Sequence, residues 1–277
     1  MRKIKIVADS SCDIFSLQQS DFESAPMKII TDDKEFIDDV SLNVDDMVNY
    51  LYEYKGKSKS SCPNTTDYLN AFGEADDVFC VTITSGLSGS YNSASVAKKI
   101  YESENPTKRV HVIDTLSAGP EVTLVVNKIK ECIDNNMDFY DIIDVIDNYM
   151  KKTGLVFMLK SLKNFANNGR VSPIVAKLVG IAGICIVGKA SGEGKLEQMY
   201  KCRSERHALK TLVDAIETEG YTSGKISIGH CQNESSAIRL KELIREKFNN
   251  VKIEIHRLKG LCSFYAEKGG ILVGFEK

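Results

Sequence analysis

Residues 82–94, TITSGLSGSYNSA, overlap the end of an apolar run, VFCVTI (78–83), and lead into YNSASVAKKIYES (91–103). A short apolar run rich in Val, Ile and Phe and bounded by Gly and Ser reads as a buried strand. Ala94, Ala97, Ile100 and Tyr101 fall on one side of a helix, and Ser90 is placed to act as its N-cap. Strand, hydroxyl-rich loop and helix together make a βα unit.

The same alternation runs outward in both directions. KIKIVA (3–8) is a strand ending in the polar cluster DSSCD, and RVHVID (109–114) is another, ending in TLSAG. Helices are predicted at 44–55, near 67–72, and at EVTLVVNKIKECI (121–133) and DFYDIIDVIDNYM (138–150). Strands alternating with helices imply a mostly parallel sheet covered on both faces. SAPMKII (24–30), DDKEFIDD (32–39) and the loop KGKSKSSCPNTT (55–66) carry no clear period and read as irregular.

A second unit is expected from residue 151. GICIVGKASGEGKLEQMYKCR (183–203) reads as a hairpin turning at Gly192-Glu193-Gly194, followed by a helix at HALKTLVDAI (207–216). KISIGH (225–230), AIRLKELIREKF (237–248) and VKIEIHRL (251–258) form a strand, helix, strand unit, and GGILVGFEK (269–277) supplies a closing strand. The fold class is therefore α/β, in two domains: 1–150 with a mostly parallel sheet, and 151–277 with a mixed one.

Composition narrows the function. The 277 residues carry 36 basic and 38 acidic side chains, a net charge of -2, which offers no general attraction to nucleic acid or an anionic membrane. Apolar stretches such as GIAGICIVG (180–188) fall well short of the roughly 20 residues that span a bilayer. MRKIKIVADSS reaches Asp9 too early for a secretory signal, so a cytoplasmic protein with no integral membrane segment is expected. The eight cysteines (12, 62, 80, 132, 185, 202, 231 and 262) form no C-x-x-C pair, and the four histidines form no ligand-spaced pair. Free thiols and no metal site are expected.

In an open parallel sheet, ligands gather beyond the carboxyl ends of the strands. Three such ends are rich in hydroxyls: 9–11, 84–90 and 114–117. A helix N-terminus behind Gly86 and Gly89 suits a small anion. The loop has no Lys of the G-x-x-x-x-G-K-[ST] kind, and the chain has no G-x-G-x-x-G, so a nucleotide cofactor is not expected. GLSGS (86–90) has Ser88 at the centre of a nucleophile elbow but Ser90 at the second glycine. A serine hydrolase or acyltransferase using Ser88 would draw on His230, the one histidine at a strand's carboxyl end. Ser60 and Ser61 in SKSSCPNTT and Arg170 in NNGRVS (167–172) complete the candidates; a small-phosphate-binding module is a third reading.

Taken in order, these segments resemble the DegV family of bacterial fatty-acid-binding proteins. ADSSCD (8–13) is similar to its D-S-T element, SSCPN (60–64) to T-S-Q-P-S, and ITSGLSGSYNSA (83–94) to S-S-x-L-S-G-T-Y-N-S-A. VIDTLSAG (112–119) and LKSLKNFANNGRVS (159–172) resemble two further elements. The resemblance implies a fatty acid in an apolar tunnel between or beneath two domains, its carboxylate held by Ser60 and Ser88, with the Gly89 amide as a further donor. Ser85, Ser61, Arg170, His230 and Tyr265 are the remaining ligand-binding candidates. The implied partner is a separate ATP-dependent kinase that converts the bound acid to an acyl phosphate; the chain itself would be a carrier with no cofactor. Two segments depart from the family: YAEKG (265–269) puts Tyr265 where a His stands and Glu267 and Lys268 in place of Gly and Pro, and AGIC (182–185) stands in place of K-P-I-L. Both bear on lipid preference and kinase docking.

Overall fold

A computed structural model of the chain describes residues 2–171 and 183–277. Ser172 of NNGRVS and Ala182 of AGIC lie outside the described residues. The first half comprises β1 (Ile4–Asp9), a 3-10 turn (Ser10–Cys12), β2 (Phe22–Ala25), β3 (Lys28–Ile30), β4 (Glu35–Ile37) and α1 (Val44–Glu53). It continues with β5 (Lys59–Ser61), α2 (Thr65–Phe72), β6 (Asp77–Thr82), α3 (Ser90–Glu104), β7 (Arg109–Asp114), α4 (Pro120–Asp134) and α5 (Phe139–Met150). Then come β8 (Thr153–Leu159), α6 (Lys163–Asn167), β9 (Cys185–Ala190), β10 (Leu196–Cys202) and α7 (Glu205–Thr218). β11 (Gly224–His230), α8 (Glu234–Lys247), β12 (Val251–Arg257), α9 (Gly260–Ala266) and β13 (Ile271–Glu276) complete the chain.

The first sheet is parallel throughout, in the order β2-β1-β6-β7. Neighbouring residues on a strand point to opposite faces, and here both faces are buried. Ile6, Phe79, Val81 and Ile113 pack with residues of α4 and α5, while Val7, Val78, Cys80 and Val110 pack with α2 and α3. This is why VFCVTI is continuously apolar rather than alternating.

The second sheet is mixed, in the order β10-β9-β8-β13-β11-β12, with only β11 and β12 parallel. Val156 and Met158 of β8 face α7 and α8. Leu155, Phe157 and Leu159 face the other way, toward α1 and α9, and form one wall of the site.

Two sequence expectations are corrected. The stretch 24–39 and the loop around Ser60 are not irregular: β4, β3 and β5 form a small antiparallel sheet with Ile29 opposite Ser60. Three-residue strands are too short to show a period, and the charges around them belong to their exposed faces. Ser90 is not the N-cap of α3; Gly89 is, without a side-chain cap. The Ser90 hydroxyl instead donates to the buried side chain of Asp9 at 2.6 Å, which turns it into the interior rather than toward the amides of the first turn.

Two buried acids fasten the small sheet and the first strand end to α9. Asp38 accepts from the Gly260 and Leu261 amides at 2.7 and 2.8 Å, and Asp13 accepts from the Lys259 amide at 2.7 Å. The second oxygen of Asp13 is buried without a partner. Burial raises Asp38 to about 6 and Asp13 to about 8.

The Asp13 value fixes a pH dependence. The unfolded chain releases this proton near 3.8 and the folded chain holds it to about 8, so stability falls as pH rises through that window. Asp13→Asn keeps an oxygen for Lys259 and removes the charge. In thermal melts the variant is expected to gain over the parent as pH is raised from about 4 to about 8, with no further gain above; a gap independent of pH would contradict the assignment.

Candidate functional site

The site begins at the carboxyl end of β1, where Asp9 is fully buried. One of its oxygens accepts from the backbone and hydroxyl of Ser11. The other accepts from the Ile83 amide at 2.9 Å and the Ser90 hydroxyl at 2.6 Å. Because Ser90 gives its proton to Asp9, the Tyr68 hydroxyl 2.6 Å away is the donor in their contact. Burial pushes the Asp9 carboxyl up, and the hydrogen bonds from Ser11, Ser90 and Ile83 pull it back. One carboxylate thus joins the ends of β1 and β6 to the first turn of α3.

The loop between β6 and α3 is shaped by this anchorage. The Ser90 amide donates to Ser88 Oγ at 3.3 Å. Ser88 therefore already accepts a bond and keeps its own proton for another partner. The Gly89 amide has no acceptor among the described residues, which adds a second open donor beside it. Opposite, the tip of the β9–β10 hairpin sits against the same loop. Gly194 there has φ +68°, and a Cβ on it would overlap Thr84; only glycine satisfies both conditions.

Ser60 arrives from the small sheet. In a strand, side chains alternate, so Ser60 faces inward while Ser61 is exposed, its hydroxyl donating to the Cys62 carbonyl. Asn168, just past α6, holds this strand by accepting from the Ser60 amide at 3.0 Å and donating to the Ser58 carbonyl at 3.2 Å. Ser60 Oγ lies 2.7 Å from the Tyr265 hydroxyl. The Tyr265 ring packs against Phe165 and Phe264, with centroids 4.6 and 4.8 Å away. Burial raises the Tyr265 phenol above its ordinary range, so it stays protonated.

These groups border a cleft with about 830 Å³ of empty space, mouth included. Its walls are chiefly apolar: Leu155, Phe157 and Leu272 come from the second sheet, Leu261 from α9, and Met27 and Ile83 from the residues next to β3 and β6. Ser60, Ser88, Arg170 and Tyr265 all line it. Arg170 donates to the Leu87 and Asn168 carbonyls and pairs with no acidic side chain among the described residues.

The other candidates stand apart from this lining. Ser85 is exposed, its amide donating to Asp114. His230 is buried at the end of β11, its Nδ1 accepting from the Asn233 amide at 3.2 Å, and burial lowers its pKa. No histidine lines the cleft among the described residues, so Ser88 has no imidazole base beside it. Ser117, from the hydroxyl-rich end 114–117, and Lys189, which sequence reasoning passed over, also line the cleft. Ser117 is spent on Glu121 at 2.5 Å, and Lys189 on Glu219 at 2.9 Å. Lys189 is the one charged residue of an otherwise apolar strand, CIVGKA. Among the described residues no group of three His, Cys, Asp or Glu side chains could hold a metal ion.

Fold and cleft together define an α/β protein of two large sheets and one small one, built around an apolar slot with hydroxyls at one end. The family model described as an uncharacterised protein, DegV family, matches residues 3–277, and the chain belongs to the DegV family. A DegV domain-containing protein of Streptococcus gordonii is 43% identical over 276 residues, 98% of each chain. The crystal structure of a DegV family protein from Eubacterium eligens loaded with heptadecanoic acid matches with a TM-score of 0.96 at 40% identity over 99% of both chains. The Streptococcus pneumoniae Fatty Acid Kinase (Fak) B3 protein loaded with linoleic acid matches with a TM-score of 0.96 at 42% identity, again over 99% of both.

Removing the Asp9 carboxylate leaves the Ile83 amide and the Ser11 and Ser90 donors unpaired in the interior. Asp9→Ala is expected to cost roughly 3 kcal/mol or more in chemical denaturation. A loss below about 1 kcal/mol would show that the three loops hold themselves together without it.

Proposed function

We propose that this protein binds a long-chain fatty acid, with its carboxylate at Ser60 and Ser88 and its acyl chain in the cleft. In this reading it presents the acid to a separate ATP-dependent kinase, which transfers the terminal phosphoryl group of ATP to a carboxylate oxygen, giving an acyl phosphate and ADP. The observation that carries the reading is the pairing of hydroxyls with an apolar slot. Ser88 Oγ already accepts from the Ser90 amide, so its proton is left for another partner, and Ser60 stands in the same lining with Arg170. Such a mouth suits an anion that brings a long apolar tail.

The magnitudes divide the work. Each methylene withdrawn from water contributes about 0.8 kcal/mol, so the tail supplies most of the affinity. Each hydroxyl bond to a carboxylate contributes about 1.5–3 kcal/mol, enough to orient the acid and to prefer it over a neutral lipid. Support also comes from two relatives of 40% and 42% identity, whose structures hold heptadecanoic and linoleic acid. The second is a component of a fatty acid kinase by name, which favours the same handover here.

The remaining expectations belong to this reading. The head-group loops lie within the proposed 1–150 unit, and the 151–277 unit helps to enclose the chain. Among the described residues no helix is long and apolar enough to cross a membrane, and we place the protein in the cytoplasm with the kinase's nucleotide. Hydrolysis by Ser88 is the weaker reading, since His230 is committed to Asn233 outside the cleft.

Protein purified from cells, denatured and extracted, is expected to release long-chain acids detectable by mass spectrometry. After delipidation, replacing both Ser60 and Ser88 by Ala is expected to weaken binding of palmitate by about tenfold or more, and of hexadecanol by no more than about threefold. Equal losses for acid and alcohol would contradict carboxylate recognition.

A further inference from the structure

A second cavity lies away from the cleft and shares no lining residue with it. It encloses about 1560 Å³ of empty space, mouth included. Cys185 borders it at the start of β9, while Lys189 borders the cleft; four residues of strand set these two about 13 Å apart. On α9 the neighbours Phe264 and Tyr265 divide in the same way, Phe264 to the second cavity and Tyr265 to the cleft.

Four cations reach this cavity from four places in the chain: Lys160 after β8, Lys163 at the start of α6, Arg203 after β10 and Lys268 after α9. Lys160 is held by Glu205 at 2.9 Å. Lys163, Arg203 and Lys268 are exposed and make no ion pair among the described residues, and the segment 172–182 contains no Asp or Glu. Both acids of the lining are already engaged. Glu205 also accepts from Asn233 and Ser236 at 2.7 and 2.8 Å. Glu267 accepts from the Ser161 hydroxyl at 2.9 Å and the Asn164 amide at 3.2 Å, and burial favours its neutral form. Cations gathered without counter-charges repel one another, and an anion relieves that repulsion.

The lining also has an apolar part, from Val48 and Leu51 of α1, Phe264 of α9 and Ile184. A phosphate monoester carries between one and two negative charges and three acceptor oxygens, so it can engage several cations at once where a carboxylate, with one charge, cannot. Inorganic phosphate alone would leave the apolar part uncovered.

We propose that this second cavity binds a phosphate monoester with an apolar substituent, the phosphate among Lys163, Arg203 and Lys268 and the substituent against Val48, Leu51 and Phe264. The planar fork of Arg203 suits two phosphate oxygens, and the lysines act as point charges. Because the two cavities have separate linings, both can be filled at once. The proposal does not depend on what fills the cleft.

Octyl phosphate, inorganic phosphate and octanol, titrated by calorimetry into delipidated protein and into protein incubated with palmitate, test this. Octyl phosphate is expected to bind both preparations with affinities within about twofold. Inorganic phosphate is expected to bind about tenfold or more weakly, since it lacks the buried methylenes, and octanol likewise, since it lacks the charge. Lys163→Ala, Arg203→Ala and Lys268→Ala are each expected to weaken octyl phosphate by about 3- to 10-fold at low salt, and added salt to weaken the wild type. The three side chains are exposed, so unchanged melting temperatures are the check on folding.

Octyl phosphate binding that palmitate abolishes would place the ligand in the cleft and overturn the proposal. So would an affinity that none of the three substitutions changes, or one that inorganic phosphate or octanol matches. If palmitate fails to bind while octyl phosphate behaves as described, the fatty-acid reading falls and this proposal stands.

Discussion

A single buried carboxylate organises the mouth of this protein. Asp9 stands where β1 ends and receives donors from three places in the chain: Ser11, Ile83 and Ser90. A fully buried acid is costly unless it is saturated with donors, and here the donors are the loops that must be brought together. The constraint works both ways: the carboxylate needs the loops for its solvation, and the loops need it for their position. Ser88 owes its orientation to this arrangement, since the amide that supports it belongs to Ser90, which Asp9 holds.

The other half of the mouth is built by different means. Ser60 lies on a three-residue strand paired with β3, clipped by Asn168 and backed by Tyr265. Asp38 and Asp13 tie α9, which carries Tyr265, to the small sheet and to the end of β1. The apolar wall behind comes from the face of β8 opposite its helices, where Leu155, Phe157 and Leu159 alternate with Val156 and Met158. Period two in one strand thus separates the core of the second sheet from the lining of the cleft.

Much of this was legible in the residues. VFCVTI, KIKIVA and RVHVID announce a parallel sheet, and Ser88 is placed by the strand-to-helix loop that follows. The small sheet was hidden because β3, β4 and β5 are too short to establish a period. Ser60 and Ser61 could not be told apart without knowing that they sit on a strand. The Asp9 network was hidden for another reason: its partners are 74 and 81 residues away, and no local pattern encodes such a distance. Ser90 looked like a helix cap because Ser before a helical period usually is one, and the long-range acid displaced that role. Tyr265 stood out as a departure from the family, but its partnership with Ser60 spans 205 residues.

The central claim is that hydroxyls from two separate loops receive one carboxylate at the end of an apolar slot. A crystal structure of the protein with palmitate addresses it most directly. The expected result is an extended chain along Leu155 and Phe157, with carboxylate oxygens about 2.5–3.0 Å from Ser60 Oγ and Ser88 Oγ. A carboxylate seated elsewhere, for example on Lys189 with its tail toward the serines, would contradict the account.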